Sequence, residues 1–280
     1  MTLERGGELM IYQTMNDGHK IPIIGTGTNT YGKVNNDYMG DINDDTTELQ
    51  SAIEAGYRLI DTAVSYRNER VIGKAVAESN VDRSDFFIET KFPMSEGHFE
   101  TDAAIDKTIE DSLKALKVDV IDLYLVHHPS DNDEDNVRVY KGLIRAQKAG
   151  KIRSVGVSYF SQQQIETLIK ETGVKPVVNQ IKINPTEMNH ALVGYLLSED
   201  IIPQAWGPLS GVNDEIRSQL DEIGSAYEKS WAQVLLKFHI MRGINVIPKS
   251  HNAQRQRDNL ELFDFDLNDS DFNKVSEILK

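Results

Sequence analysis

Four side chains in the first half of the chain could together transfer a proton: Asp61, Tyr66, Lys91 and His127. A lysine beside a tyrosine favours the phenolate and makes the tyrosine hydroxyl a better proton donor at neutral pH. Asp61 would hold and orient Lys91, while His127 would orient or polarise a carbonyl group or relay its proton. The set therefore suits protonation of an oxygen atom that gains negative charge.

A proton donor of this kind needs a separate source of hydride or of a nucleophile. The sequence contains no cysteine, which excludes disulfides, a thiolate nucleophile and a Cys-ligated zinc site. It also contains no Ser/His pair with nucleophile-elbow spacing and no metal-ligand cluster. A bound nicotinamide would supply the hydride, so we expect a nucleotide cofactor and no metal.

Two segments could bind the phosphates of such a cofactor. The Gly25-x-Gly27 pair is a poor match to the Rossmann fingerprint, because a loop rather than a phosphate-binding helix follows it. The stretch after the last predicted strand instead carries two cations, a hydroxyl and an amide: Lys249, Arg255, Ser250 and Asn259. Barrels often bind phosphate at that place, near a helix N-terminus, and this set would suit a 2′-phosphate.

Seven short apolar runs are predicted to be the strands that position these side chains. Each run stops at a polar or ionisable residue, in order Asp61, Lys91, His127, Ser158, Gln180, Trp206 and Lys249. Helical patterns separate most of the runs, and an earlier run from Ile23 to Thr28 is the predicted first strand. A strand–helix repeat with reactive side chains at the strand ends is the layout of a (β/α)8 TIM barrel.

The chain is predicted to form one barrel domain over residues 10–280. Short strand-like runs at Met10–Met15 and Lys20–Ile24, joined by Asn16-Asp17-Gly18, predict a β-hairpin that plugs the bottom of the barrel. Residues 1–9 are expected to form a flexible tail. Helices are predicted at about 45–55, 67–78, 102–116, 137–149, 161–171, 189–199, 214–227, 230–241, 252–259 and 269–279.

Composition and charge exclude several classes of protein. With 39% hydrophobic and 26% charged residues, the chain has the composition of a globular protein with a sizeable core. Its net charge of −14, without a long Lys/Arg stripe, argues against a nucleic-acid partner. No run of about 18 apolar residues and no signal-peptide core occurs. We therefore expect a cytoplasmic protein with no membrane partner.

Several ordered motifs resemble those of the aldo-keto reductase family. Residues 61–69, DTAVSYRNE, are similar to the family signature DTAxxYxNE, Thr90-Lys91 to its lysine motif, and residues 125–129, LVHHP, to its LxHxP motif. Residues 156–160, Asn179-Gln180 and residues 247–259 match further family blocks in the same order. The resemblance covers roughly residues 10–280. The compact loops resemble those of the bacterial diketogluconate and methylglyoxal reductases.

The resemblance implies NADPH-dependent reduction of an aldehyde or ketone, with a catalytic tetrad of Asp61, Tyr66, Lys91 and His127 in which Tyr66 is the general acid. The cofactor-binding residues it implies are Thr28, Asp61, Ser158, Gln180, Trp206, Gly207, Leu209, Lys249, Ser250, Arg255 and Asn259. Among them, Ser158 and Gln180 would hold the carboxamide and Trp206 would stack on the nicotinamide ring. Lys249, Ser250, Arg255 and Asn259 would bind the 2′-phosphate and adenine.

Some positions depart from the usual family pattern. Tyr159 replaces an asparagine that commonly helps to hold the carboxamide, so we expect nicotinamide binding to be weaker or rearranged. His128 and Asn29 stand where aromatic residues usually lie near the substrate, and Trp206 replaces the common stacking tyrosine. Asn29, His128 and Tyr159 are therefore the expected substrate-pocket residues, and the more polar mouth favours polar carbonyl substrates.

Two other functions stay open at this point. Barrels of this family also serve as nucleotide-sensing regulatory subunits, which bind NADPH with little turnover. A barrel isomerase or lyase could instead use Lys91 as a Schiff-base amine. The short surface loops disfavour the regulatory role, and we expect a monomer whose partner is a small carbonyl compound.

Overall fold

The computed structural model of the chain describes residues 2–5 and 8–280. Its strands are β1 (Thr2–Arg5), β2 (Glu8–Thr14), β3 (Lys20–Pro22), β4 (Gly25–Gly27), β5 (Leu59–Asp61), β6 (Phe87–Phe92), β7 (Ile121–Val126), β8 (Ile152–Ser158), β9 (Val178–Lys182), β10 (Ile202–Trp206) and β11 (Asn245–Ile247). Strands β4 to β11 form one eight-stranded parallel sheet in which each strand pairs with the next. A parallel bridge from Ile24 to Val246 joins its two edges. The predicted (β/α)8 barrel is confirmed.

The hairpin at the amino end of the chain lies across the bottom of the barrel, as predicted. Strands β2 and β3 pair antiparallel, and Met15 and Ile21 are buried with apolar residues from the amino ends of the barrel strands. The side chain of Asn245 on β11 donates to Gln13 of the hairpin at 3.2 Å. Thr2–Arg5 forms a strand paired with β2, and the flexibility expected of residues 1–9 stays a prediction. Residues 1, 6 and 7 lie outside the described residues.

Helices cover the outside of the sheet. They are α1 (Thr47–Ala55), α2 (Glu69–Glu78), α3 (Asp102–Leu116), α4 (Asp133–Lys148), α5 (Gln162–Thr172), α6 (His190–Ser198), α7 (Asp214–Ser225), α8 (Trp231–Met241), α9 (Ala253–Asp258) and α10 (Asp269–Ile278). Each predicted helix is present, but α4 begins four residues before the predicted position 137. The side chain of Asn132 caps an acidic first turn, which the apolar pattern did not mark.

The barrel strands bury both faces, because helices pack outside them and side chains fill the interior. Four of the strands from β5 to β11 are buried at every residue, as expected for a parallel sheet. Each fully buried Leu, Ile or Val contributes roughly 1.5–3 kcal/mol of stability relative to exposure. In the described part of the chain, no helix has the length and apolarity that crossing a membrane requires. Because its strands are buried on both faces, the barrel is a stiff frame. The strand ends carry the polar side chains.

Candidate functional site

The carboxyl ends of three neighbouring strands bring the predicted proton-transfer residues together. Asp61 is the last residue of β5, Lys91 is the next-to-last residue of β6, and His127 directly follows β7. These strands pair in parallel and in order, so their ends lie side by side. A parallel barrel places such residues at one face.

Lys91 joins the other members of this group through its ammonium. Its Nζ forms a close ion pair with Asp61 Oδ1 and donates to the carbonyl of Thr62 at 2.9 Å. The same Nζ lies 3.3 Å from the hydroxyl of Tyr66. Lys91 is fully buried and Asp61 nearly so. A cation held in this way can support negative charge on the phenol oxygen.

A short turn aims Tyr66 at Lys91. Residues Val64–Tyr66 form one turn of 3₁₀ helix after β5, and Arg67 ends it in the left-handed region at φ 63°. The ring of His127 meets the ring of Tyr66 edge-on, with centroids 5.6 Å apart. The backbone amide of His127 is fixed by the carbonyl of Phe92 at 3.0 Å. Asp61, Tyr66, Lys91 and His127 therefore form one contiguous group.

Asn68 ties the loop after β4 to this group. Its side-chain amide donates to the carbonyls of Thr28 and Tyr31 at 2.7 and 3.1 Å, and its oxygen accepts from Thr62 at 2.9 Å. The hydroxyl of Thr28 donates to the carbonyl of Asp61 at 2.8 Å. The asparagine of the DTAVSYRNE motif thus positions both loops, a role that the sequence did not assign to it.

The charges of the site follow from burial and from the ion pair. Burial alone would lower the pKa of Lys91, but the Asp61 carboxylate, with Tyr66 and Glu89 nearby, raises it above its usual value, so the amine stays protonated. Burial and the Lys91 charge lower the pKa of His127 to about 2, so its ring is neutral. The Lys91 charge favours the Tyr66 phenolate as expected, but burial outweighs it and raises the pKa to about 12. The predicted net acidification of Tyr66 is therefore wrong for this structure.

A cavity of about 580 Å³ opens above these residues. Most of the predicted site residues line it: Thr28, Asn29, Asp61, Tyr66, His127, His128, Tyr159, Gln180, Trp206, Gly207, Leu209 and Lys249. Lys91 and Ser158 are buried at its floor without any exposed surface. The catalytic and substrate-pocket predictions thus converge on one cavity at the carboxyl end of the barrel.

The wall of this cavity is a continuous series of rings. In order they are Tyr38, Tyr66, His127, His128, Tyr159 and Trp206. Successive ring centroids lie 4.3 to 5.9 Å apart, and the two histidines are stacked. Rings in such contact stabilise one another beyond their buried area. The wall is therefore aromatic, and the two imidazoles add polar atoms to those of the tyrosine hydroxyls and the indole N–H.

Tyr38 comes from the acidic loop after β4, to which the sequence assigned no role. The Nζ of Lys33 donates to the carbonyl of Tyr38 at 2.6 Å, and Arg67 donates to the carbonyls of Tyr38 and Gly40 at 3.2 and 3.1 Å. Burial and the nearby Arg67 charge lower the pKa of Lys33 to about 8. No motif marks Tyr38, because its place at the cavity depends on how this loop folds back.

Tyr159 occupies a strained position on the same wall. Its backbone lies in the left-handed region at φ 62°, and its amide donates to the carbonyl of Gln180 at 2.9 Å. Asparagine tolerates that region far better than tyrosine does. The ring lies 4.5 Å from His128 and 5.7 Å from Trp206 between centroids. The ring contacts thus compensate for a backbone strain of roughly 1–3 kcal/mol.

The two residues predicted to hold a carboxamide are bonded to other protein groups. The hydroxyl of Ser158 donates to the carbonyl of Gln180 at 3.0 Å. The Gln180 amide nitrogen contacts Asp61, Glu89 and Gln204 at 2.9, 2.7 and 2.7 Å. Glu89 and Gln204 were missed by the sequence interpretation. A second charged residue in the predicted strand that ends at Lys91 was the available signal for Glu89.

The end of β11 carries the predicted phosphate-binding lysine. The Nζ of Lys249 donates to Asn29 at 2.9 Å and to Thr30 at 2.8 Å, and burial lowers its pKa. Asn29 therefore contacts a predicted cofactor residue as well as the cavity. His251 pairs closely with Glu48 beside them. The lysine is held over the loop that follows β4, at the edge of the cavity.

The other predicted phosphate and adenine residues lie beyond Lys249. Ser250 precedes α9 and accepts a hydrogen bond from the amide of Asn252 at 3.1 Å. The backbone amide of Arg255 is capped by Asn252 at 2.9 Å. Asn259 is 5% exposed and hydrogen-bonds the hydroxyl of Tyr57. Among residues 2–5 and 8–280, no group of three or more acidic, histidine or cysteine side chains could hold a metal ion.

Comparison with known proteins gives consistent matches over most of the chain. A model of the Aldo/keto reductase family matches residues 23–280. The chain is 37% identical over 265 residues to 2,5-diketo-D-gluconic acid reductase B of a Corynebacterium species, which spans 94% of this chain and 91% of that protein. It is 34% identical over 268 residues to methylglyoxal reductase DkgA of Escherichia coli, spanning 94% and 92%. An aldo-keto reductase of Bombyx mori, solved in complex with NADP, is similar in fold with a TM-score of 0.84 at 33% identity, covering 96% of this chain and 92% of that chain.

Proposed function

Because this chain belongs to the aldo/keto reductase family, we propose that it reduces aldehydes and ketones to alcohols with NADPH. The observation that carries the proposal is the contact between the Lys91 ammonium and the Tyr66 hydroxyl, 3.3 Å apart. Tyr66 and Asp61 both line the cavity, and the Lys91 ammonium reaches both of them. A cation fixed beside a phenol suits donation of a proton to a carbonyl oxygen.

The residues around the cavity fit a nicotinamide nucleotide. The indole Nε1 of Trp206 is buried, and it has no hydrogen-bond partner among the described residues. Two cations, Lys249 and Arg255, follow β11, where a phosphate would be bound. The Bombyx mori relative is described in complex with NADP. When bound, NADPH supplies the hydride for the carbonyl carbon.

We assign the cofactor contacts from the resemblance of this chain to the family. Ser158 and Gln180 would hold the carboxamide and Trp206 would stack on the nicotinamide ring. Thr28, Asp61, Gly207 and Leu209, which line the cavity, would also contact the bound nucleotide. Lys249, Ser250, Arg255 and Asn259 would bind the 2′-phosphate and adenine. Because Ser158 and Gln180 already bond to protein groups, these contacts require their hydrogen bonds to rearrange.

Tyr66, rather than His127, is the proton donor in this proposal. The pKa of His127 is lowered to about 2, so its neutral ring carries one N–H that can orient a carbonyl oxygen. The Tyr66 hydroxyl stays protonated at neutral pH, since its pKa is raised to about 12. As it loses its proton, the Lys91 ammonium offsets the charge left on the phenol oxygen.

The same geometry disfavours the alternatives considered for Lys91 and for the fold. A Schiff base needs a neutral amine, whereas the ion pair with Asp61 keeps Lys91 charged. The close contact among Lys91, Asp61 and Tyr66 favours turnover over a purely regulatory role. A cytoplasmic location, a monomeric state and the absence of a nucleic-acid partner stay predictions.

The proposed substrates are small, polar carbonyl compounds. Two imidazoles, His127 and His128, contribute polar atoms to an otherwise aromatic wall, and Asn29 lies at the rim. Relatives are named as reductases of methylglyoxal and of 2,5-diketo-D-gluconic acid, both of which are small and polar. Pockets of this kind use a few polar groups to orient a ligand within an apolar surface.

Tyr66→Phe tests the proposal because it removes one hydroxyl and keeps the ring. We expect a loss of kcat of at least about 10²-fold, with the Kd for NADPH measured by fluorescence nearly unchanged. Tyr140→Phe is the matched control, since its hydroxyl is buried and has no partner among the described residues. Normal turnover by Tyr66→Phe across a panel of carbonyl compounds would refute the assignment.

A further inference from the structure

A second carboxyl, Glu89, lies inside the barrel beneath the tetrad. It is two residues before Lys91 on β6, so both side chains leave the same face of the strand. Glu89 has no exposed surface. Proton transfer from Tyr66 to a carbonyl oxygen does not use it. A buried carboxyl beside a catalytic group is therefore the feature of this barrel that still needs an explanation.

Glu89 is connected to Asp61 through two kinds of contact. Gln180 Nε2 donates to Glu89 Oε1 at 2.7 Å and lies 2.9 Å from Asp61 Oδ1. Gln204 Nε2 donates to Glu89 Oε2 at 2.8 Å. The two carboxyl groups also lie within hydrogen-bond reach of each other. Glu89 thus touches the same carboxylate that holds the Lys91 ammonium.

The Gln180 side chain is a neutral donor that lies between Asp61, Glu89 and Gln204. Its Nε2 lies within 2.9 Å of three acceptors, on Asp61, Glu89 and Gln204. An amide nitrogen carries only two hydrogens. Because Lys91 also donates to Asp61 Oδ1, that oxygen has a donor whichever two acceptors Gln180 serves, and a proton on Glu89 can donate to Asp61 as well. Without that proton, Glu89 is a fully buried carboxylate whose donors are the neutral amides of Gln180 and Gln204, and it forms no ion pair in the described part of the chain.

The charges around Glu89 also favour its protonated form. Asp61 faces it from β5 and Lys91 from its own strand, while Gln180 on β9 and Gln204 on β10 contribute only neutral amides. Two ionised carboxylates would have to share the single Lys91 ammonium. Burial and the Asp61 charge raise the pKa of Glu89 to about 8, against the opposing effect of Lys91.

We propose that Glu89 is a positioning residue that acts as a neutral carboxylic acid, donating a hydrogen bond to Asp61 and so holding Asp61 and Lys91 against Tyr66. The inference rests on the proposed function. Loss of the Glu89 proton removes this hydrogen bond and adds a negative charge beside Lys91. Both effects reduce the stabilisation of the negative charge that forms on the phenol oxygen as Tyr66 gives up its proton. Carbonyl reduction therefore slows.

The direction of the pH dependence follows from that charge. The active form carries the Glu89 proton, and it is populated below the pKa of about 8. Above that value, the kcat for reduction should fall by up to about tenfold per pH unit. Glu89→Gln keeps a neutral side chain of the same shape at every pH, so its kcat should not show this decline.

The kinetic test compares pH profiles of kcat for wild type, Glu89→Gln and Glu69→Gln from about pH 6 to about pH 10. Glu69 is the matched control, a buried carboxyl whose pKa is also raised by burial, bonded to Thr90 and Ser112 on the outer face of β6. We expect Glu89→Gln to keep kcat within about threefold at neutral pH and to lose the alkaline decline. Glu69→Gln should keep the wild-type profile.

Infrared spectroscopy of the same proteins separates this inference from the proposed function. Wild type should show a protonated carboxyl band that disappears as pH rises through about 8 and that is missing in Glu89→Gln. If wild type reduces no carbonyl compound at any pH, the proposed function fails while the band still reports on Glu89. An identical alkaline decline in wild type and Glu89→Gln, or a wild-type band unaffected by the substitution, overturns the inference.

Discussion

Replacing Lys91 with methionine is expected to abolish most turnover while leaving the NADPH Kd nearly unchanged. Methionine is unbranched and of similar length, so it fills the buried space of Lys91 without its charge. The variant removes the ammonium that lies 3.3 Å from the Tyr66 hydroxyl and pairs with Asp61. Its effects on catalysis and on stability have different causes and can be measured apart.

The catalytic loss can be estimated from the contact that disappears. The phenol oxygen of Tyr66 gains negative charge as it gives up its proton, and Lys91 is the cation in contact with it. Removing one preorganised donor of this kind typically costs about 2.7–4 kcal/mol. Since about 1.4 kcal/mol corresponds to a tenfold change in rate, kcat should fall on the order of 10²–10³-fold.

The stability loss comes from Asp61, which would be left buried without its cation. Breaking a buried ion pair by removing one partner costs roughly 3–5 kcal/mol of unfolding free energy. The double variant Lys91→Met/Asp61→Asn removes both charges, and the Asn side chain still accepts from Gln180. It should recover most of the stability but none of the lost turnover.

Guanidinium unfolding and steady-state rates with a carbonyl substrate measure the two effects on the same preparations. Fluorescence titration with NADPH confirms that the binding site is intact. If Lys91→Met keeps the wild-type kcat, or if the double variant regains it, the ammonium does not stabilise the negative charge on the Tyr66 oxygen. A single variant as stable as wild type would contradict the reasoning about the buried ion pair.

Two further predictions concern the cofactor and the pH dependence of stability. Lys249→Met should raise the KM for NADPH about tenfold and leave the KM for NADH within about twofold, because only NADPH offers a 2′-phosphate; equal losses in initial-rate assays would contradict this. His239 on α8 is fully buried, neither ring nitrogen has a partner among the described residues, and burial lowers its pKa from 6.5 to about 3. The unfolded chain binds that proton more tightly, so stability should fall as pH drops from about 6.5 to about 3, by up to about 1.4 kcal/mol per pH unit. His239→Phe should remove this part of the slope in unfolding titrations at successive pH values, and an unchanged slope would show that His239 does not contribute to it.

The barrel could be predicted from the sequence because its signals are local. Each strand is a short apolar run with a polar stop, and each helix has an apolar stripe with capping residues such as Ser161 and Ser230. The apolar pattern does not mark a helix boundary where polar residues begin the helix. The start of α4 at Asp133 was missed because its first turn carries acidic rather than apolar side chains.

The convergence of the four proposed catalytic residues could be predicted for a similar reason. In a parallel barrel the strand ends meet at one face, so Asp61, Lys91 and His127 converge once the strand order is known. Tyr38 could not be found in this way. It reaches the cavity because Lys33 and Arg67 hold the backbone of an irregular loop, and such hydrogen bonds have no periodic signature in sequence.

The tertiary structure also decided the protonation states, which no motif encodes. The sequence indicated that Lys91 would acidify Tyr66, but burial outweighs that charge and raises the pKa of Tyr66 to about 12. The sequence by itself determined the barrel and the types of side chain at its strand ends, because these depend on local pattern and parallel pairing. Only the tertiary structure set the depth of burial, the contact of Glu89 with Asp61 and the strained backbone of Tyr159. These depend on distances between residues far apart in the chain, and electrostatic energies change steeply with both distance and solvent exposure.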